Sequence, residues 1–287
     1  MTTLQLRQLL LSRPSYLKKS AQYLSQKTGL SIQTCQRTLD EAKSKTHNGL
    51  NPDNVLVIGD LHEPFTLPGY ILFCKYVQQT FNCGTVVFIG DLVDNHFTSY
   101  HEIDPDSFGA KQELEFARYK LEAWHKAFPN AYVCRGNHDV LVSRKAFSSG
   151  ITSSWIRSEN EVFDTPTWNW VDEITLHGVL YIHGTGFSGA NAAITIAKER
   201  GLSTVMGHLH SFSSVQYLSR KTPTFGMLVG CGIDHTKYAF KYAKYFSRKP
   251  IISCGVVLNG KQAFVINYED YTIINSVGTR LADSDKL

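Results

Sequence analysis

Apolar positions along the chain fall into two regimes. In residues 4–44 they recur at helical spacing through "LQLRQLLL", "YLKKSAQYLSQK" and, after the break "TGLS", "IQTCQRTLDEAK". Leu17, Ala21 and Leu24 share one face of the second segment, and Ile32, Cys35, Leu39 and Ala42 share one face of the third. That predicts two helices packed across a short glycine turn, the shape of a helix-turn-helix. The turn formers of "THNGLNPDN" read as a linker. From residue 55 short continuous apolar runs take over, and "VLVIG", "TVVFIGD" and "AYVCRGN" read as strands. Between them lie one helix with Phe73, Cys74, Val77 and Phe81 on a face and a longer one with Leu114, Ala117, Leu121, Trp124 and Phe128 on a stripe. The order βαβαβ predicts an α/β layered fold. Residues 140–170, with Trp155, Trp168 and Trp170, are less regular, and "EITLHGVLYIHG", "STVMGHLH", "TPTFGMLVG" and "IISCGVVLNGKQAFVINYED" read as later strands, several in antiparallel pairs.

Composition narrows the class. A chain of 287 residues that is 43% hydrophobic can bury one large core or a core plus a small appendage. Its apolar runs fall far short of the roughly 20 residues that span a bilayer, and the start lacks a signal peptide's apolar core, so a cytoplasmic protein without membrane partners is expected. The cysteines Cys35, Cys74, Cys83, Cys134, Cys231 and Cys254 show no CxxC spacing, which argues against a disulfide framework or zinc ribbon and for buried thiols. Charge is uneven: residues 1–50 hold eight Lys or Arg against two acids, so the remainder is net negative although the whole chain is +4. Any polyanionic partner would therefore meet the amino-terminal segment. Its second helix, with Gln33, Thr34 and Arg37 near the start, is the segment a DNA groove would accept. A helical extension packed on the body explains the same pattern.

The strands end in polar clusters. Asp60 and His62 follow the first in "GDLH", Asp91 and Asp94 the second in "GDLVD", and Asn137, His138 and Asp139 the third in "GNHD". Later segments end in "IHG" with His183 and "GHLH" with His208 and His210. The carboxyl ends of strands open onto the ligand crevice of an α/β sheet, so these five stretches can converge there, and Asp, Asn and His in that proportion point to metal.

The ordered series Asp-x-His, Gly-Asp-x-x-Asp, Gly-Asn-His-Asp, His, Gly-His-x-His resembles the calcineurin-like metallophosphoesterases over about residues 55–235. The resemblance implies two mixed β-sheets flanked by helices, here with a small amino-terminal helical unit. Residues 1–48 would form that unit, 53–275 the phosphoesterase domain and 276–287 a tail. It implies two divalent cations drawn from Mn, Fe, Zn or Ni, with Mn favoured. Asp60, His62 and His210 would hold one, Asn137, His183 and His208 the other, and Asp91 would bridge them. Two such cations about 4 Å apart can bind a phosphoryl oxygen and activate water. His138 would protonate the leaving oxygen, Asp139 would orient its imidazole, and Asp94 would support a ligand. Arg135 in "RGNH" resembles the phosphate-gripping arginine of protein Ser/Thr phosphatases, yet "GDLHEPF" and "GDLVDNH" lack the glycine-glutamine and arginine-glycine of that subgroup. The expected function is phosphoester hydrolysis, with DNA, other nucleic acid or a nucleotide as the diester substrate. A phosphomonoesterase of the protein phosphatase type and a nucleic-acid-binding regulator with a secondary metal site are the alternatives. His96, His101 and His235 read as solvated loop histidines. A substrate gate would come from 95–110, 140–170 or 232–248.

Overall fold

Strands that are apolar on both faces need cover on both sides. The computed structural model supplies it, describing residues 1–3, 5–6, 9, 19–45, 49–99, 108–219, 223–237 and 249–273. Among these, β1 (Asn51–Ile58), β2 (Cys83–Phe88), β3 (Tyr132–Cys134) and β4 (Asn169–Val171) run parallel. With β10 (Ser253–Leu258) and β11 (Gln262–Asn267) added antiparallel on the other edge, they form a sheet of order β11-β10-β1-β2-β3-β4. A second mixed sheet has order β5-β6-β7-β9-β8, from β5 (Glu173–Leu176), β6 (Val179–Ile182), β7 (Ser203–Met206), β8 (Ser213–Leu218) and β9 (Thr224–Val229).

Alternation along each strand builds four layers. Val55, Val57, Val87 and Ile89 of the first sheet meet Val179, Tyr181, Val205, Phe225, Met227 and Val229 of the second in one buried interior. Their neighbours Leu56, Ile58, Val86 and Phe88 face the opposite way. There they pack under the helices Tyr70–Thr80 and Ala110–Ala127 through Phe73, Cys74, Val77, Ala117, Leu121 and Trp124. The helix Ala192–Arg200 covers the outer face of the second sheet through Ala192, Ala193 and Ile196. The β5–β6 hairpin is closed by the two residues His177–Gly178, with φ of 51° and 77°, and the β10–β11 hairpin by Asn259–Gly260, with φ of 50° and 67°, followed by Lys261. Paired positive φ at His177 and Gly178 is the two-residue turn whose twist matches its strands. All six cysteines are buried free thiols.

The amino-terminal pair, α1 (Ala21–Thr28) and α2 (Ile32–Lys45), is joined through Gly29 at φ 75°, and Ser20 caps the first helix by accepting from the Tyr23 amide. Among the described residues Leu6, Ala21, Leu24, Cys35 and Leu39 form a buried cluster of their own, which occupies Leu24 and Leu39 within the unit. Ile32, assigned to the buried face by its spacing, is 53% exposed at the helix start. Leu4, Leu10 and Leu17 lie outside the described residues, as do the side chain of Ala42, His101, and the parts of the gate segments at 100–107 and 238–248. Among the described residues no helix is long and apolar enough to cross a membrane.

The stretch 140–170 is more structured than its pattern predicts. It holds the helices Leu141–Ser148 and Glu159–Phe163 and leads into β4. β4 is three residues long, too short for any period to show, and β8 is a half-buried edge strand whose polar residues conceal it.

Candidate metal centre

The parallel strands β1, β2, β3, β6 and β7 deliver their carboxyl ends to one place. The loops that leave them are strained. His62, Asp91 and His208 hold φ of 49°, 47° and 67°, a left-handed region that costs a non-glycine residue roughly 1–3 kcal/mol unless its surroundings enforce it. Enforcement here comes from hydrogen bonds between loops. The Leu61 and His62 amides donate to the Asp91 carbonyl at 3.1 and 2.9 Å, and the His138 amide donates to Asp91 Oδ1 at 2.8 Å. Gly136 is required because a Cβ there would overlap the Asp91 carboxylate and amide.

Two groups of ligand-type atoms share Asp91: Asp60, His62, Asp91 and His210 gather in one, and Asp91, His183 and His208 in the other, while His62, Asp94 and His138 make a third group without it. His210 Nε2 lies 3.0 Å from Asp60 Oδ2, which also accepts from the His208 amide at 3.0 Å. His183 Nε2 lies 3.2 Å from Asp91 Oδ2 and 3.1 Å from Asn137 Oδ1, and its Nδ1 donates to the Ile89 carbonyl at 3.0 Å. That last bond fixes the tautomer that leaves Nε2 facing the carboxylates. Asp60 Oδ1 is buried with no hydrogen-bond partner. A buried carboxylate oxygen without a donor is costly, and a cation satisfies it. The mixed nitrogen and oxygen donors fit a divalent transition metal better than magnesium or calcium.

The family model described as calcineurin-like phosphoesterase matches residues 54–227. The chain belongs to the calcineurin-like phosphoesterase family. Among curated proteins nothing matches it. Of solved structures, Vps29 from Cryptosporidium parvum is similar at 13% identity and TM-score 0.38, covering 75% of this chain and 95% of that one. A single mutant of Vps29 from Entamoeba histolytica is similar at 12% identity and TM-score 0.36, covering 75% and 99%. The nuclease MPE from Pseudomonas putida is similar at 12% identity and TM-score 0.34, covering 74% and 86%.

In this calcineurin-like phosphoesterase family member the contacts of three residues beside the ligand groups differ from the expectation. His138 Nδ1 donates to the Asp94 carbonyl at 2.6 Å, with the Asp94 carboxylate 3.5 Å away. Asp139 does not hold that imidazole. Its Oδ1 accepts from the Leu92 and Val93 amides at 2.9 and 3.2 Å, and its Oδ2 from the Gly136 amide at 2.8 Å, so it braces the loops. The Asp94 carboxylate supports the ligand candidate His62 as expected, accepting from its Nδ1 at 2.6 Å, and the further role of Asp94 is that its carbonyl takes His138. Arg135 is engaged by acids: its Nε and Nη2 meet Glu159 at 2.5 and 3.4 Å, and its Nη1 meets Asp172 at 3.1 Å.

Sequence reasoning passed over Asn95, whose Nδ2 donates to the His138 carbonyl at 2.9 Å, although it directly follows "GDLVD". It also set aside His96, which is buried with Nδ1 3.9 Å from Asp94 Oδ2. His235 is exposed.

Crowding of like and unlike charges shifts the site's titrations. Burial opposes charge on His183, but the Asp91 carboxylate overrides it and raises the imidazole to about 10. Burial opposes ionisation of Asp91 as well, and the imidazoles of His183, His62 and His138 hold its carboxyl well below the usual range. Burial and then the Asp91 charge push Asp139 up to about 7, against its three amide donors. Burial, reinforced by neighbouring imidazoles, lowers His62 and His208, which favours the neutral form in which histidine binds metal. His138 is raised: burial works against its charge, and Asp91 and Asp94 favour it.

Proposed function

We propose that the chain hydrolyses phosphodiesters of the nucleic-acid or nucleotide class with two divalent cations, Mn²⁺ foremost. The observation that carries this reading is the membership of Asp91 in both ligand groups beside the unpartnered buried oxygen of Asp60. Asp60, His62 and His210 would hold one cation and Asn137, His183 and His208 the other, with the Asp91 carboxylate common to both. Cations bound there supply Lewis-acid polarisation of a phosphoryl oxygen and a nucleophile at neutral pH. The chain's own part is to orient and to move a proton. His138, its Nδ1 committed to the Asp94 carbonyl, keeps Nε2 to protonate the departing oxygen. Asp94 orients that imidazole together with His62, and Asp139 holds the loop that carries Asn137 and His138.

A diester is favoured over the phosphomonoester of a protein phosphatase by the state of Arg135. A monoester dianion is usually gripped by a bidentate guanidinium, and the planar fork of Arg135 is already matched to Glu159 and Asp172. The basic amino-terminal helices favour a polyanionic substrate. The test is a hydrolysis panel with Mn²⁺ comparing para-nitrophenyl phosphate, bis-para-nitrophenyl phosphate, cyclic nucleotides, single-stranded DNA and a phosphopeptide. Turnover concentrated in the diesters is expected. Turnover confined to the phosphopeptide and para-nitrophenyl phosphate would reverse the assignment.

A further inference from the structure

The segment that follows His138 presents an unusual surface. Residues 140–158 contain Arg144, Lys145 and Arg157 and no Asp or Glu, although the chain beyond residue 50 is net negative; of the acids that follow, Glu159 is engaged by Arg135 and Glu161 lies within reach of the Arg157 charge. Within this segment Val142 and Ile151 are 47% exposed, and Phe147 and Trp155 are 83% exposed. Large aromatic side chains this open, with aliphatic neighbours, mark an interaction surface. The segment is ordered by its own bonds. The Leu141 amide donates to the His138 carbonyl at 3.2 Å, Lys145 Nζ donates to the Ser99 carbonyl at 3.2 Å, and the Ile151 amide returns to Ala146 at 2.9 Å. Its eight-residue helix Leu141–Ser148 is about 12 Å long, so Phe147 lies within a few nucleotides of a phosphate held beside His138, and the turn Ser153–Trp155 packs against that helix.

Two chemistries occur in one segment that begins beside the proposed general acid. Its cations suit a phosphate backbone, and its open rings suit the faces of bases. Duplex bases expose no faces, whereas those of a single strand do. We propose that residues 141–157 form a stacking platform for unpaired bases of a single-stranded nucleic acid, with Phe147 and Trp155 as the stacking rings and Arg144 and Arg157 on phosphates. This rests on the phosphodiesterase reading above and names its substrate class.

The test is equilibrium anisotropy of the full, Mn²⁺-loaded chain with a fluorescein-labelled 12-mer of deoxythymidine carrying a phosphorothioate backbone. Trp155→Ala and Phe147→Ala should each weaken binding by on the order of 10-fold, and Trp155→Phe should recover most of the loss. Arg157→Ala should reduce the slope of log affinity against log salt by about 0.7. A 12-mer of abasic deoxyribose phosphate should bind the wild-type chain more weakly and be indifferent to residue 155. Both aromatic side chains are largely exposed, so unchanged thermal unfolding of the variants is expected and separates lost contact from lost fold.

Aromatic variants that bind the 12-mer as the wild type does, or that lose affinity equally for the abasic strand, would overturn the proposal. So would a duplex whose affinity falls as much as that of the strand in the aromatic variants. Loss of self-association or of binding to phosphatidylserine vesicles, with strand affinity intact, would make the patch a protein or membrane surface and refute the platform. Wild-type hydrolysis of bis-para-nitrophenyl phosphate, run alongside, judges the other reading separately. Base-dependent binding without any hydrolysis keeps the platform and rejects the phosphodiesterase.

Discussion

Asp91 joins more of the centre than any other residue in it. Its carbonyl accepts two amides from the first loop, its Oδ1 accepts the His138 amide, and its Oδ2 lies near His183 and His62. Replacing its charge with an amide leaves the hydrogen-bond acceptor but removes the negative charge offsetting two cations. Asp91→Asn is expected to lower bound metal from two per chain and to abolish nearly all turnover, which elemental analysis and bis-para-nitrophenyl phosphate assays check together. His138 separates from the ligands in the opposite way. His138→Ala should retain both metals and slow hydrolysis on the order of 10²–10⁴-fold for poor leaving groups, with a much smaller loss for para-nitrophenol, whose departure needs little protonation. Equal losses for both leaving groups would remove the acid role, and loss of metal would make the residue a ligand.

At the scale of elements, the helix pair and the layered sheets keep separate accounts of apolar burial. Among the described residues the buried cluster of Leu6, Ala21, Leu24, Cys35 and Leu39 contains no residue of the sheets, and the sheet clusters contain none of the helix pair. Deleting residues 1–48 is therefore expected to leave a soluble chain that keeps its metal content and its main thermal transition. If the helices read DNA, the same deletion should weaken affinity for long duplexes and flatten its salt dependence. An insoluble truncation would show that they are part of the body's core instead. Conversely Leu24→Ala, at a fully buried position, should cost roughly 2–5 kcal/mol within the helix pair and leave metal binding unchanged, as circular dichroism and metal analysis would show.

Across the whole molecule, metal and folding are linked. Strained loops, a donorless Asp60 oxygen and a carboxylate shared by several imidazoles are tolerable when a cation is bound and costly otherwise. Mn²⁺ should raise the unfolding temperature and EDTA should lower it, since the site exists in the folded chain alone. The sign of the pH effect follows from His183. Its folded value of about 10 lies above the unfolded value of about 6.5, so its contribution to the metal-free fold is complete below about 6.5 and is lost as pH rises towards about 10. Metal must displace that proton. The metal-free chain should lose thermal stability between pH 6.5 and about 8.5, and the stabilisation by Mn²⁺ should grow over the same interval. Paired melting curves with EDTA and with Mn²⁺ decide it, and a stabilisation independent of pH would count against His183 as a ligand.

Much of this was written locally. The strands β1, β2 and β3, the helices over them and the polar clusters at their ends are legible because each depends on the periodicity and chemistry of fewer than about twenty consecutive residues. The ligand types and their order along the chain follow from the same clusters. Short or exposed elements were not legible, as β4 and β8 show, because three residues carry no period and an edge strand needs no apolar alternation. Pairings were decided by the tertiary structure. It gave His138 to Asp94 and not to its neighbour Asp139, turned Asp139 onto backbone amides, closed Arg135 onto Glu159 and Asp172, and set His210 against Asp60. The partners of Arg135 and His210 stand 24 to 150 residues apart, and that of His138 stands 44 away, while its adjacent carboxylate goes elsewhere. Which acceptor a donor reaches depends on strand register and on the few ångströms that side-chain packing allows, and neither is encoded within any one stretch of the chain.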